Sequence, residues 1–207
     1  ESFQFFGSST ELTLIEGVMG LFDGVGSSEK GSTADLARHL DIPIILIIDA
    51  SGQAASIAAL IKGFRDHSPA INLAGIVLNK IKTNRHKQLL TEVIKSINVK
   101  ILGWLPLDAQ LNLPSKNLGL IPSHENENLY SRINYWSKLA ESNLDIDSFR
   151  VLLQSPRIGR NPIETIISKN KILSELKPTS KSIAIVEDKA FHFNYPEIKD
   201  ILKILGI

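Results

Sequence analysis

The stretch from Leu12 to Gly24, LTLIEGVMGLFDG, contains the residues whose types and spacing could do chemistry. A short apolar run ends at Glu16, and a glycine-spaced loop leads from there to Asp23. A short apolar run can form a parallel strand that is buried on both faces, and we predict such a strand here. Ligands bind beyond the carboxyl ends of such strands, so we expect Glu16 and Asp23 to lie where a ligand binds. Glycines let the loop backbone turn tightly and approach a ligand. The same pattern also fits a strand-to-loop connection with a solvated acid at each end.

A carboxylate at the end of a buried strand can bind a nucleotide-bound Mg²⁺, directly or through water. Glu16 fits this role, and so does Asp49, which ends a second apolar run. Asp49 is followed by Ser51 and Gly52, so a helix cap is the interpretation that we favour there. The five histidines show no metal-ligand spacing, which argues against a histidine metal site.

The segment from Gly24 to Thr33, GVGSSEKGST, resembles a phosphate-binding loop without meeting its pattern. Such a loop needs G-x-x-x-x-G-K-[ST], since glycines expose the backbone N–H groups and the lysine meets the phosphates. Glu29 stands where the second glycine should be, and Gly31 follows Lys30 where Ser or Thr is required. We therefore predict that this chain carries no phosphate loop of its own.

Apolar runs alternate with segments of helical periodicity through the first half of the chain. This alternation predicts an α/β fold with a parallel sheet and right-handed crossovers. The end of each predicted strand carries a polar residue or a proline: Glu16, Asp49, Asn79 and Pro106. After the first strand, the predicted strands are 43–49, 72–79 and 99–105, and the predicted helices are 34–40 with Ser32 or Thr33 as its cap, 52–64 and 85–97. Inward positions in the last two helices include Leu60 and Leu89.

The second half of the chain has weaker patterns. They predict a short strand at 118–121, helices at 126–142 and 144–153, and partial helix at 163–176. A fresh strand at 182–188 and a closing helix at 197–207 follow. We expect a domain over 1–154, a linker over 155–181 and the start of another domain over 182–207, because one strand and one helix cannot bury a core.

The composition describes a soluble globular protein, with 43% hydrophobic and 22% charged residues among 207. A net charge of +1 gives no electrostatic footprint for nucleic acid or a membrane surface. The absence of cysteine excludes disulfides, thiolate metal sites and a cysteine nucleophile within these residues. The most apolar run, 42–48, is far below the ~18 to 20 residues of a membrane helix. We expect a cytoplasmic protein.

Several strings occur in a characteristic order: EGVMGLFDG, GSTADLA, IPIILIIDASGQAAS, GIVLNKI and LGWLPLDAQLNLPSKNLGLIPSHE. Together they closely resemble the cobyrinic acid a,c-diamide synthase family over residues 12–125. The run IAIVEDKAFHFNYPE, which begins at Ile183, is similar to the opening of that family's class I glutaminase domain.

The resemblance implies a P-loop NTPase-like, dethiobiotin-synthetase-like domain and a cytoplasmic amidoligase of cobalamin biosynthesis. Its implied cofactors are ATP and Mg²⁺, and its substrates a corrinoid, cobyrinic acid, with glutamine or ammonia. By similarity, Glu16 would bind Mg²⁺, and Asp23 would lie on the corrinoid or acyl-phosphate side. Asn79 would read the adenine edge, since its amide supplies one donor and one acceptor function. Leu105 and Pro106 would border the base.

In two respects the chain departs from this family. The family's first strand with its phosphate loop would lie upstream of Glu1, and its cysteine nucleophile downstream of Ile207. We therefore expect an internal fragment that does not hydrolyse glutamine and binds ATP poorly. Unpaired strand edges invite another chain, which suggests a homodimer. The alternatives are a non-catalytic dethiobiotin-synthetase-like regulatory or assembly domain, and a partitioning-type ATPase, which the lack of a basic amphipathic helix weakens.

Overall fold

The structure is a computed structural model. It describes residues 2–68, 70–113, 115–116, 119–120, 128–155, 162–171, 175, 182–188, 190–191 and 194–207. The chain divides into two compact units, one of Leu14–Leu153 and one of Glu1–Thr13 with Gln154–Ile207. The domain limits expected from the sequence stay a prediction.

Helices and strands alternate along the larger unit. The helices of the chain are α1 Ser2–Gly7, α2 Thr33–Leu40, α3 Ile57–His67, α4 Asn84–Lys95, α5 Leu129–Asn143, α6 Ile146–Leu152, α7 Pro162–Lys169 and α8 Pro196–Ile204. The strands are β1 Ile44–Asp49, β2 Leu73–Ile81, β3 Ile101–Pro106, β4 Ser115–Lys116 and β5 Gly119–Leu120, and a short 3-10 turn spans Ala109–Leu111. Within the described ranges, no helix is both long and apolar enough to cross a bilayer.

The parallel sheet expected from the sequence is confirmed, with the order β1-β2-β3. Helix α3 connects β1 to β2, and α4 connects β2 to β3. The central strand β2 is buried over Gly75 to Leu78, which explains its run of apolar side chains without alternation. The second sheet is the antiparallel pair β4-β5, which includes part of the predicted strand at 118–121; residues 118 and 121 lie outside the described part.

Helices α3 and α4 each pack one face on this sheet. Residues four positions apart share a helix face, so Ile57 and Ile61 of α3 are buried together, as are Leu90 and Ile94 of α4. The inward orientation predicted for Leu60 and Leu89 is wrong. Each directly precedes a buried residue, Ile61 or Leu90, and lies about 100° around the helix from it. These two side chains are 41% and 40% exposed.

A second buried cluster positions the loop that carries the candidate acids. Leu21 of the loop packs with Ala34 and Ala37 of α2 and with Ile44 of β1. The predicted cap of α2 is confirmed at Ser32, whose hydroxyl accepts a hydrogen bond from the N–H of Asp35 at 3.1 Å.

The strand predicted at Leu12–Glu16 is wrong. Among the described residues, the segment makes one β-type pairing, an isolated antiparallel bridge between Leu12 and Gln154. Leu14 is 74% exposed and Glu16 also faces solvent. A buried parallel strand needs backbone partners, and among the described residues β1 pairs with β2 alone. The segment therefore remains irregular.

The strand predicted at 182–188 is also wrong. This segment has no regular structure, and Ile183 and Val186 are 57% and 62% exposed. Its apolar run pairs with no strand in the described part of the chain, and without a partner strand its backbone N–H and C=O groups cannot form ladder hydrogen bonds. The closing helix is confirmed as α8, and α7 occupies part of the segment predicted to be partly helical.

We expect alanine substitutions at two isoleucines of the sheet to differ sharply in their effect on the free energy of unfolding. Ile76 is fully buried in β2, whereas Ile47 in β1 is 65% exposed. We expect Ile76→Ala to lower the free energy of unfolding by about 2 to 5 kcal/mol, because it leaves a cavity. Ile47→Ala should cost less than about 1 kcal/mol. Denaturant unfolding followed by tryptophan fluorescence measures both, and equal losses would contradict this placement of the core.

Candidate functional site

The sheet brings two predicted edge residues side by side. Asp49 ends β1 and lies opposite Asn79 of β2 in the parallel register. The N–H of Ala50 donates to the carbonyl oxygen of Asn79 at 2.9 Å, which extends the pairing one residue past the strand. Asp49 is the last residue of β1, whereas β2 continues past Asn79 to Ile81, beyond the end of the predicted strand 72–79. The two polar residues are neighbours near the carboxyl ends of both strands.

Asp49 is held by an ion pair that spans the two strands. Its Oδ2 accepts a hydrogen bond from Nζ of Lys80 at 2.5 Å, and its Oδ1 accepts from the N–H of Ser51 at 2.9 Å. The hydrogen bond from Lys80, with those from Ser51, holds the pKa of the Asp49 carboxyl far below its usual range. The helix cap favoured from the sequence is wrong, because α3 begins later, at Ile57.

Sequence reasoning missed Lys80. Its backbone has φ +62°, which is unusual for a residue other than glycine, and it lies where the pairing of β2 with β3 is irregular. Its N–H donates to Oδ1 of Asn79 at 2.9 Å. The sequence held one signal for it, a basic residue directly after the asparagine that ends the predicted strand 72–79.

Leu105 and Pro106 lie in the wall of a cavity of about 400 Å³. This volume is within the range of small-molecule sites. The wall also contains Lys82, Lys87 and Trp104, and Nζ of Lys87 is 5.1 Å from the centre of the Trp104 ring. Two lysines and no carboxylate among the lining residues give the cavity a positive character.

Glu16 lies on an exposed loop and not at a strand end, which corrects the placement predicted from the sequence. Its carboxylate makes no hydrogen bond or ion pair to another residue that the structure describes. The neighbouring Gly17 lies against α2, where an added Cβ would come within 2.7 Å of the side chain of Thr33. The loop backbone therefore passes close to the start of the helix, and glycine permits this approach.

Asp23 bends back on its own loop. Its Oδ2 accepts a hydrogen bond from the N–H of Gly20 at 2.9 Å, and its N–H donates to the Gly20 carbonyl oxygen at 3.1 Å. A Cβ on Gly20 would come within 2.4 Å of that carboxylate oxygen. The glycine spacing thus serves a tight turn that gives the Asp23 carboxylate a defined position.

The loop after Gly24 is closed by its own hydrogen bonds. The N–H of Val25 donates to the carbonyl oxygen of Lys30 at 2.9 Å. Glu29 accepts a hydrogen bond from Arg38 of α2 at 2.8 Å, so the residue that breaks the phosphate-loop pattern anchors the loop. That the chain has no phosphate loop of its own stays a prediction.

The structure brings some predicted residues together and keeps others apart. Asp49 and Asn79 share one edge, and Leu105 and Pro106 share the cavity, whose lining does not include Asn79, Glu16 or Asp23. Among the described residues, no group of three or more His, Asp or Glu side chains could hold a metal ion. A nucleotide-bound Mg²⁺ needs only one or two carboxylates besides phosphates and water, so an exposed carboxylate such as that of Glu16 fits it.

A model of the AAA domain family matches residues 7–115, which is more than half of the chain. The chain belongs to the AAA domain family. This P-loop NTPase-like family has an α/β architecture with a parallel sheet, in agreement with the fold class expected from the sequence. The match includes β1, β2, β3 and the loop that carries Glu16 and Asp23, which we call the acidic loop.

Curated relatives of this AAA domain chain bear out the resemblance. The cobyrinate a,c-diamide synthase of Caldanaerobacter subterraneus subsp. tengcongensis is 36% identical over 200 residues, 96% of this chain and 42% of the relative. The hydrogenobyrinate a,c-diamide synthase of Brucella anthropi is 35% identical over 92% of this chain and 42% of its own length. The cobyrinate a,c-diamide synthase of Synechococcus sp. is 34% identical, with coverages of 99% and 44%. The chain spans less than half the length of these relatives, and no solved structure matches it.

The ion pair at the sheet edge predicts an unusually acidic carboxyl. We expect Asp49 to remain ionised near pH 3, below the ordinary aspartate pKa of about 3.9. Because folding lowers this pKa, the ionised carboxylate contributes stability above the ordinary value, and that contribution is lost as the pH falls through the folded-state value. Lys80→Met should raise the pKa of Asp49, and Lys82→Met should leave it unchanged. Carboxyl-carbon NMR titration measures this, and identical titrations in all three proteins would refute the pairing.

Proposed function

We propose that this chain is part of an ATP- and glutamine-dependent amidoligase that converts the a and c side-chain carboxylates of cobyrinic acid to amides. The observation that carries the proposal is the similarity to a,c-diamide synthases over 92% to 99% of this chain. Because the chain spans less than half of those relatives, the glutamine-hydrolysing part is proposed to belong to the remainder of the protein.

The proposed reaction has two steps, and ATP is consumed as a substrate. A corrinoid carboxylate oxygen attacks the γ-phosphorus of ATP, the bond to the bridging oxygen breaks, and ADP leaves. The nitrogen of ammonia then attacks the acyl carbon, phosphate departs with the bonding electron pair, and the nitrogen loses a proton. Mg²⁺ would neutralise charge on the transferring phosphoryl group, which is what phosphoryl transfer demands.

The two loop acids have different proposed roles. Glu16 would hold the metal ion, and the support is that its carboxylate is exposed and unpaired among the described residues. Asp23 would lie beside the corrinoid carboxylate or its acyl phosphate. Its hydrogen bond from Gly20 supports a positioned carboxylate there, since a group held in place costs less to orient during reaction.

The nucleotide base is proposed to bind at the carboxyl ends of β2 and β3. Asn79 would pair with the adenine edge through its amide, and Leu105 and Pro106 would border the ring. The support is the partial burial of Asn79 and the cavity beside Leu105 and Pro106. In a dethiobiotin-synthetase-like arrangement of the AAA domain, the bound ATP and the acidic loop would lie beside the same corrinoid substrate.

The amidoligase proposal predicts a large effect of one substitution. Glu16→Gln should lower turnover on the order of 10²-fold or more, because it removes the charge that faces the metal ion. Glu92→Gln, which changes an exposed acid of α4, is the matched control and should leave turnover within about twofold. The assay uses the full-length protein with MgATP, cobyrinic acid and ammonia, and it measures ADP together with corrinoid mass.

Two outcomes would count against the proposal in different ways. If the unsubstituted protein forms neither amide nor ADP, the proposed amidoligase function is wrong, and a non-catalytic assembly domain becomes the better hypothesis. If it forms diamide and Glu16→Gln is as active as Glu92→Gln, the function stands and the role of Glu16 is refuted.

A further inference from the structure

The backbone of Lys80 stands out within the sheet. Among the described residues, four that are not glycine have positive φ: Met19, Asp41, Lys80 and Asn98. Asp41 is the C-cap of α2, and aspartate and asparagine tolerate this conformation in turns. Lys80 instead lies inside β2 and carries a long side chain. Such conformations persist where their surroundings fix them, and they concentrate at functional sites.

A residue of the neighbouring strand, Asp49 of β1, holds the side chain of Lys80 in place. Its Nζ is 2.5 Å from Oδ2 of Asp49, and the other oxygen of that carboxylate is held by the N–H of Ser51 at 2.9 Å. Asp49 is itself placed by its register opposite Asn79. Lys80 is therefore held at two points: its backbone belongs to β2, and its side chain is paired with Asp49 of β1.

This arrangement orients the carboxamide of Asn79. The N–H of Lys80 donates to Oδ1 of Asn79. One lone pair of that oxygen and both N–H groups of Nδ2 then have no partner among the residues that the structure describes. We propose that Lys80 and Asp49 are positioning residues that lock this carboxamide in the orientation that accepts from an amino group, so that the site selects a 6-aminopurine over a 6-oxopurine nucleotide. The inference rests on the proposed function, in which Asn79 reads the base.

The selectivity follows from hydrogen-bond chemistry. Adenine presents a donor at N6 beside an acceptor at N7, and a fixed asparagine amide matches both. Hypoxanthine presents an oxygen at position 6, so the locked Oδ1 would face another acceptor. An amide that is free to rotate could turn its NH₂ group toward that oxygen. Loss of the lock should therefore weaken adenine binding and leave hypoxanthine binding unchanged or better.

The test measures equilibrium binding of MgATP and MgITP to the full-length protein by calorimetry. We expect Asp49→Asn and Lys80→Met to lower the ATP-over-ITP preference about tenfold, mainly through a higher Kd for ATP, which is the effect of about one hydrogen bond. Lys80→Arg keeps a cation for Asp49 and should retain most of the preference. Lys95→Met, at an exposed position of α4, is the control and should match the unsubstituted protein.

One further variant separates loss of the ion pair from damage to the fold. Lys80→Gly relieves the positive φ while it removes the ammonium group, so it should fold at least as well as the unsubstituted protein and still lose the preference. Circular dichroism checks the fold of each variant. A folded Lys80→Gly protein with an unchanged ATP-over-ITP ratio would overturn the inference.

Asn79→Ala separates this inference from the proposed function. If it weakens ATP binding and the variants of Asp49 and Lys80 leave the ratio unchanged, the base assignment stands and the positioning inference is overturned. If Asn79→Ala leaves the Kd for ATP unchanged, the base assignment fails and the positioning inference fails with it. Parallel loss of preference in Asp49→Asn, Lys80→Met and Lys80→Gly, with retention in Lys80→Arg, supports both.

Discussion

The pairing of β1 with β2 is the constraint on which the candidate site depends. After an irregularity between Ile44 and Ile45, the two strands keep one register as far as Asp49 and Asn79. A slip of one residue would turn every side chain in this stretch to the opposite face. The buried run of β2 prevents that slip, because Ile76 and Leu78 must stay in the core. Asp49 and Asn79 are therefore neighbours as a result of apolar packing farther along the same strands.

Packing also governs the acidic loop, although the loop has no regular structure. Leu21 is buried with residues of α2, and the loop backbone follows it to the start of that helix. The apolar side chains on either side of Glu16 remain exposed, with Leu14 at 74% and Val18 at 76%. One buried leucine thus holds the acidic loop, while Glu16 and its neighbours face solvent.

Local patterns predicted the parts of the fold that depend on local periodicity. The three sheet strands and helices α2, α3 and α4 follow from runs and spacings that are complete within each segment. The strands expected at 12–16 and 182–188 failed because strand formation needs a partner, and a single run of apolar residues does not supply one. Asn79 could be placed near the end of a strand from its own apolar run, whereas the hydrogen bond between Asp49 and Lys80 joins residues 31 positions apart.

The ion pair at the sheet edge is better explained by orientation than by stability. Both side chains are about half exposed, 44% for Lys80 and 50% for Asp49, and solvent screens pairs of this kind so strongly that they contribute little to folding. The positive φ of Lys80 works against folding, so the arrangement brings little net gain in stability. What it does provide is a fixed direction for the N–H of Lys80 and, through it, for the amide of Asn79. A flexible lysine in ordinary strand geometry would preserve the sheet equally well, but it would leave the direction of that amide undetermined.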